Sequence, residues 1–293
     1  MQQIITIIAP TFFGIAVGFL FYRFSRASTK TIIDVAMYIA VPCLVFTSML
    51  SNPIVLKDAA KLWTACLLNL GGSFVIAWIV LRFDRKKHSG LYLPIVFSNL
   101  LFIAVPILYL AYGTEGLTNA VLFYVPNGVL LYSLAIYVAA GRVGLKQGLR
   151  ELVRTPLIYA VLLGLALNLA GVTLPSLVMN SVKFVGQAGT PLLLLVLGMN
   201  MGGIRISHLR LTLVASVIRM GGGFALGLLA VWLLGLTGVP RAVVIFESAM
   251  PAAFISAVAC TKYDNEAELV SSVVLFTTLL SVAVVPALLY YLT

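Results

Sequence analysis

Glu247 stands in the segment FESAMPAAFISAV, inside an apolar run and four residues before Pro251. A charged side chain at bilayer depth costs roughly 2.5–3.5 kcal/mol on insertion scales, and such residues mark ion or substrate pathways by default. A carboxylate beside an unwound helix can hold a proton, or ligate sodium together with freed carbonyls. Asn99, with Ser98 beside it, precedes Pro106 by seven residues in SNLLFIAVPILYL. An amide next to a helix break can orient a carboxylate substrate while a half-helix N-terminus supplies partial positive charge. Arg219 in SVIRMGGGFALG is a basic residue inside an apolar run. Its guanidinium can compensate an anionic substrate or pair with Glu247 as a structural ion pair, and both readings stay open. Asn127 after Pro126, Asn200 in LGMNMGG, and Ser256 five residues past Pro251 complete the candidate binding residues. Asn168 reads as a helix-end residue.

Other chemistries find no residues. The chain has no Walker A sequence. His88 and His208 lie in links rather than at metal-ligand spacing, and the His88-Ser89-Gly90 juxtaposition reads as accidental. Cys43, Cys66 and Cys260 are scattered through apolar runs as small packing residues, with neither a disulfide framework nor a metal cluster implied. No nucleophile, base and orienting acid can be assembled within the apolar runs, so the expectation is no enzyme and no cofactor beyond a coupling sodium ion or proton.

The elements that must carry these residues are membrane spans. Of 293 residues, 61% are hydrophobic and 10% charged, against roughly 45–50% and 25% in soluble domains. Runs at 3–22, 32–50, 62–81, 91–112, 118–140, 157–172, 177–201, 211–236, 240–260 and 269–292 are near the ~20 residues a spanning helix needs. Ten spans joined by short links leave no soluble domain. The first run lacks a basic leader region and a cleavage site, and reads as a retained helix. The net charge of +10 comes from basic residues in alternate links, with clusters at Arg82, Arg85, Lys86, Lys87 and at Arg142, Lys146, Arg150, Arg154. Fourteen of the 19 Lys and Arg follow odd-numbered spans, which puts those links in the cytoplasm and both termini outside. The charge therefore indicates topology and anionic lipid, with no nucleic-acid partner.

Prolines give a ruler for an internal repeat. Pro10, Pro42, Pro94 and Pro106 pair with Pro156, Pro191, Pro240 and Pro251 at offsets of 146, 149, 146 and 145. A proline inside a helix removes one hydrogen bond and costs about 3 kcal/mol, so Pro106 and Pro251 are expected to break spans four and nine at one crossover. Five spans per half insert with opposite polarity. The predicted fold is an all-α integral membrane protein of ten helices in a single domain, 1–293. Repeat one covers about 1–140, a cytoplasmic linker about 141–155, and repeat two about 156–293. Gly14-x-x-x-Gly18 and Gly223-x-x-x-Gly227 are expected to let helices approach closely.

The segment from Ala249 to Leu292, AMPAAFISAVACTKYDNEAELVSSVVLFTTLLSVAVVPALLYYL, resembles the ending of the auxin efflux carrier family, which includes plant auxin carriers and bacterial malonate-type permeases. Similar segments are YIAVPCLVF around Pro42, SNLLFIAVPI with Asn99 and Pro106, TPLIYAVLLGLALN from Thr155, and GTPLLLLVLGMNMGG around Pro191. The resemblance spans the whole chain and rests on the ensemble of these segments. It implies two inverted five-helix repeats with helices four and nine broken and crossing at the midplane, as in the bile-acid sodium symporters. It also implies a homodimer, a transport part moving against a scaffold part, and an organic anion bound at the crossover, with Asn99 as a substrate residue. Glu247 resembles the sodium-binding glutamate of the bile-acid symporter branch. The long cytoplasmic loop of plant auxin carriers is absent.

The expected function is secondary transport of a small carboxylate-type anion by alternating access in a bacterial inner membrane, coupled through Glu247. Rival readings are an uncoupled facilitator or channel, a sensor using a transporter fold, and an intramembrane enzyme.

Overall fold

A computed structural model describes residues 2–25, 27–82, 88–131, 133, 150, 153–201 and 207–292. Arg85, Lys86, Lys87, Arg142, Lys146 and the end of the fifth predicted span lie outside the described residues, as does most of the 141–155 linker. The regular elements among the described residues are helices, because at bilayer depth every backbone N–H and C=O needs a partner within the segment.

In chain order the α-helices are α1 (Gln2–Ser25), α2 (Lys30–Val35), α3 (Val41–Ser51), α4 (Leu56–Leu81), α5 (Tyr92–Val96), α6 (Val105–Leu130) and α7 (Pro156–Leu169). They continue as α8 (Ser176–Gly186), α9 (Gly189–Met201), α10 (Leu209–Ser216), α11 (Gly223–Leu234), α12 (Gly238–Ser248), α13 (Phe254–Lys262) and α14 (Ala267–Leu292). Short π-helical turns at Ala36–Ala40, Leu100–Ala104 and Val217–Gly222 join α2 to α3, lead into α6, and join α10 to α11.

Seven continuous helical stretches of the described residues are long and apolar enough to cross a membrane. The difference from ten predicted spans has local causes. The fourth span is divided between α5 and the start of α6, the ninth between α12 and α13, and the sixth is the shorter α7. Gly113 in α6 has φ 62° and ψ −147°, so the chain turns there between the fourth and fifth predicted spans. Only glycine takes that conformation without strain.

Close packing follows the small residues. α1 lies along α9, where a Cβ on Gly18 would overlap the Leu195 backbone and one on Gly198 the Ile15 carbonyl. α3 lies along α7, and Asn168 near the end of α7 fastens the pair. Its Nδ2 donates to the carbonyls of Met49 (2.8 Å) and Asn52 (2.7 Å), and its Oδ1 accepts from Ile54 N–H (3.0 Å). The helix-end reading of Asn168 is thus extended: it satisfies the orphan carbonyls of another helix's last turn. α4 packs on α6 and α11, and α12 on α6 and α11. Cys66 and Cys260 are buried, and all three cysteines are free. Pro10 and Pro286 sit inside unbroken helices, and Pro126 inside α6 beyond its turn at Gly113.

Candidate functional site

The two divided helices meet where their chains unwind. Between α5 and the Leu100 turn, Phe97–Asn99 is extended; between α12 and α13, Ala249–Ala253 is non-helical. These strips pair as an antiparallel bridge between Ser98 and Ala252. Asn99 N–H donates to the Pro251 carbonyl (2.8 Å) and Ala253 N–H to the Phe97 carbonyl (2.9 Å). Ala252 N–H is taken by Thr277 Oγ1 on α14 at 3.2 Å. Each break thereby supplies hydrogen-bond partners the other lost, which is what lets irregular backbone persist at depth in a membrane protein.

Pro251 lies within its break as the sequence reading requires, but Pro106 does not. The first break falls at Phe97–Asn99, and Pro106 lies inside the continuous helical stretch that begins at Leu100, just after its π-turn Leu100–Ala104. The missing N–H of Pro106 falls just after that π-turn, where the regular i→i−4 ladder is already interrupted, so it marks a local irregularity within the helix rather than the break. The proline ruler aligned the prolines, while α12 runs to eleven residues and α5 to five, which offsets the breaks.

Two half-helices therefore begin at the crossover, at Leu100 and Phe254, and two end there, at Val96 and Ser248. On the beginning side, a cavity of about 10 Å³, room for roughly one water, is lined by Ser98, Asn99, Phe102, Tyr124, Ala253 and Phe254 among others. The aromatic pair Phe102–Phe254 closes edge to face at 6.2 Å. Asn99 is 3% exposed, and its Nδ2 has no hydrogen-bond partner. Ser256 Oγ, one turn into α13, is likewise buried without a partner. Free helix-start amides, an idle amide donor and an idle hydroxyl make an environment that favours negative charge.

On the ending side lies Arg219, fully buried in the π-turn Val217–Gly222. Its Nη1 donates to the carbonyls of Ile95 (3.0 Å) and Val96 (2.8 Å), and its Nη2 to the Ser248 carbonyl (2.7 Å) and Asn69 Oδ1 (3.4 Å). No bond joins it to Glu247, so the guanidinium neither pairs with the acid nor faces the cavity. Glu247, in the last turn of α12, is 0% exposed, and neither carboxylate oxygen has a partner. An ionised carboxylate in that setting is costly unless a cation accompanies it.

The remaining candidates divide. Asn127 is 1% exposed with Nδ2 unpartnered, on the same helix as Tyr124 of the cavity. Asn200 donates to Val196 of its own helix at 2.9 Å and does not line the cavity. Asn69 and Thr277 were missed by the sequence reading, although an amide inside the apolar run of α4 is a signal of the kind that singled out Asn99. The His88-Ser89-Gly90 segment is tied to the turn after α13. His88 Nδ1 meets Glu266 Oε1 at 2.8 Å, Gly90 N–H donates to Glu266 Oε2 at 2.8 Å, and Ser89 Oγ to Asn265 Oδ1 at 3.3 Å.

Residues 3–143 and 141–291 match the model of the family described as membrane transport protein. The chain belongs to that family, the one that holds the auxin efflux carriers. The transporter is 27% identical over 267 residues to an uncharacterized transporter of Methanothermobacter thermautotrophicus, covering 88% of this chain and 87% of the relative. It is 24% identical over 268 residues to an uncharacterized transporter of Methanocaldococcus jannaschii, covering 87% of each. Against auxin efflux carrier component 1 of Arabidopsis thaliana the identity is 28% over 150 residues, 49% of this transporter and 24% of that protein. It is an integral membrane transporter, and buried polar groups without partners lie beside its paired breaks.

Proposed function

We propose that this transporter carries a small carboxylate-type organic anion across a bacterial inner membrane by alternating access at the crossover, with Glu247 carrying the coupling cation. The observation that carries the reading is the polarity of the crossover. Two half-helices begin at the small cavity with Asn99 and Ser98 on its wall, so partial positive charge and hydrogen-bond donors converge where an anion would sit. Supporting it, a cleft of about 330 Å³ between α3, α6 and α8–α9 is lined by hydroxyls and amides with Lys183 as its charged group and no acid. A route of that character suits an anion on its way to or from the crossover.

Two inverted five-helix repeats fit the packing. α1 pairs with α9 as α3 pairs with α7, and α4 pairs with α6 as α10 pairs with α14, which is how contacts exchange when a pseudo-twofold relates the halves. Both termini outside follows from the basic links. The residues fit a coupling cation at Glu247 in one respect: both carboxylate oxygens are buried and idle. Sodium or a proton would supply the positive charge there, and Glu247 would release it when the crossover is exposed to the other side.

The test is uptake into proteoliposomes from a panel of small mono- and dicarboxylates, with Glu247→Gln beside the wild type. A tenfold ion gradient stores about 1.4 kcal/mol, so one-to-one coupling accumulates substrate up to about tenfold, and E247Q should only equilibrate it. Accumulation by E247Q equal to wild type refutes the coupling role, and no carboxylate flux above empty liposomes refutes the substrate class.

A further inference from the structure

Where α5 and α12 end, their last carbonyls have no intrahelical partner. Ile95, Val96 and Ser248 point such oxygens at one place, and Asn69 adds a fourth through Oδ1. The Asn69 amide is itself fixed, because Nδ2 donates to the Gly223 carbonyl at 3.0 Å. Four neutral oxygens converging from three elements are the donor set that hard monovalent cations take from proteins. The space is kept by Gly223, where a Cβ would overlap both the Ser248 carbonyl and the Arg219 guanidinium.

We propose that these four oxygens form a cation site at the crossover whose resident cation is the guanidinium of Arg219, tethered to the chain and never released. A guanidinium stays charged under all ordinary conditions and offers donors in a fixed planar fork. One fork reaches the end of α5 through Nη1 and the end of α12 through Nη2. The crossover is thereby braced without a dissociable ion, and exchangeable cations are left to Glu247. The brace itself stands whether or not Glu247 couples transport.

The prediction is that removing the tether exposes the site to free cations. Thermal unfolding of detergent-purified protein is followed by tryptophan fluorescence in choline, sodium, potassium and methylguanidinium chlorides at equal ionic strength. All variants carry E247Q, so no response arises at that carboxylate and failure of the coupling reading leaves the result untouched. The E247Q parent should melt at one temperature in every salt. Adding Arg219→Ala should lower melting in choline by about 5–10 °C, with part of the loss restored by methylguanidinium and a smaller part by sodium. A double variant that melts with its parent, or a loss that no cation restores, overturns the proposal. Where R219A does not accumulate, R219K decides. An ammonium point charge cannot span both half-helices, so its melting should fall below the parent's, and equal melting overturns the brace.

Discussion

Asn99→Ala separates recognition from architecture. The Asn99 backbone N–H makes the 2.8 Å bond to Pro251 and survives the substitution, while the side-chain Nδ2 makes no bond within the protein. Alanine also takes the native φ of −83° freely. The fold therefore loses little, and melting should stay within about 2 °C of wild type, as for a change without an internal partner. A hydrogen bond from a neutral amide to a charged carboxylate contributes about 1.5–3 kcal/mol. Its loss should weaken binding of a transported carboxylate by about 10- to 150-fold. Substrate-protected thermal shift or calorimetry on purified protein gives the affinity, and counterflow in proteoliposomes gives transport at saturating substrate. Unchanged affinity would remove Asn99 from the binding surface. A melting point that collapses in step with affinity would make the side chain architectural instead.

Three further expectations follow from the packing. Pro106→Ala should leave transport within about twofold of wild type, because the break is held by the Asn99–Pro251 and Ala253–Phe97 bonds and not by Pro106; uptake assays check it, and abolished transport would restore Pro106 to the crossover. Asn168→Ala strips partners from two carbonyls and one N–H, a loss of about 1–3 kcal/mol that should appear as melting several degrees lower. Gly198→Val drives a side chain into the Ile15 carbonyl between α1 and α9, so folded protein recovered by size-exclusion chromatography should fall sharply.

Much of the plan was legible because the membrane imposes it. Long apolar runs and a break beside Pro251 both follow from backbone groups that need partners where no water is available. The position of the first break was not legible. Prolines can be counted along a chain, but here the break precedes Pro106 and the helix takes the proline up behind a π-turn, and nothing in SNLLFIAVPILYL announces that. Arg219 was visible as a charge inside an apolar run, yet most of its partners are backbone carbonyls, two of them over 120 residues away in α5, and backbone oxygens carry no sequence signature. Glu247, read as an acid inside an apolar run, is fully buried. That it lacks any partner was a fact of three dimensions, since Arg219 lay equally available on paper.

The bond between His88 and Glu266 sets a mechanical condition on whatever moves. It fastens the segment before α5 to the turn after α13, while the Ser98–Ala252 bridge fastens the same two chains at their centre. A frame riveted at two points does not shear between them. Spin labels placed on α5 and α13 should hence keep one separation through every stage of the cycle, giving spectroscopists an internal fiducial against which displacements of α1 or α9 can be measured.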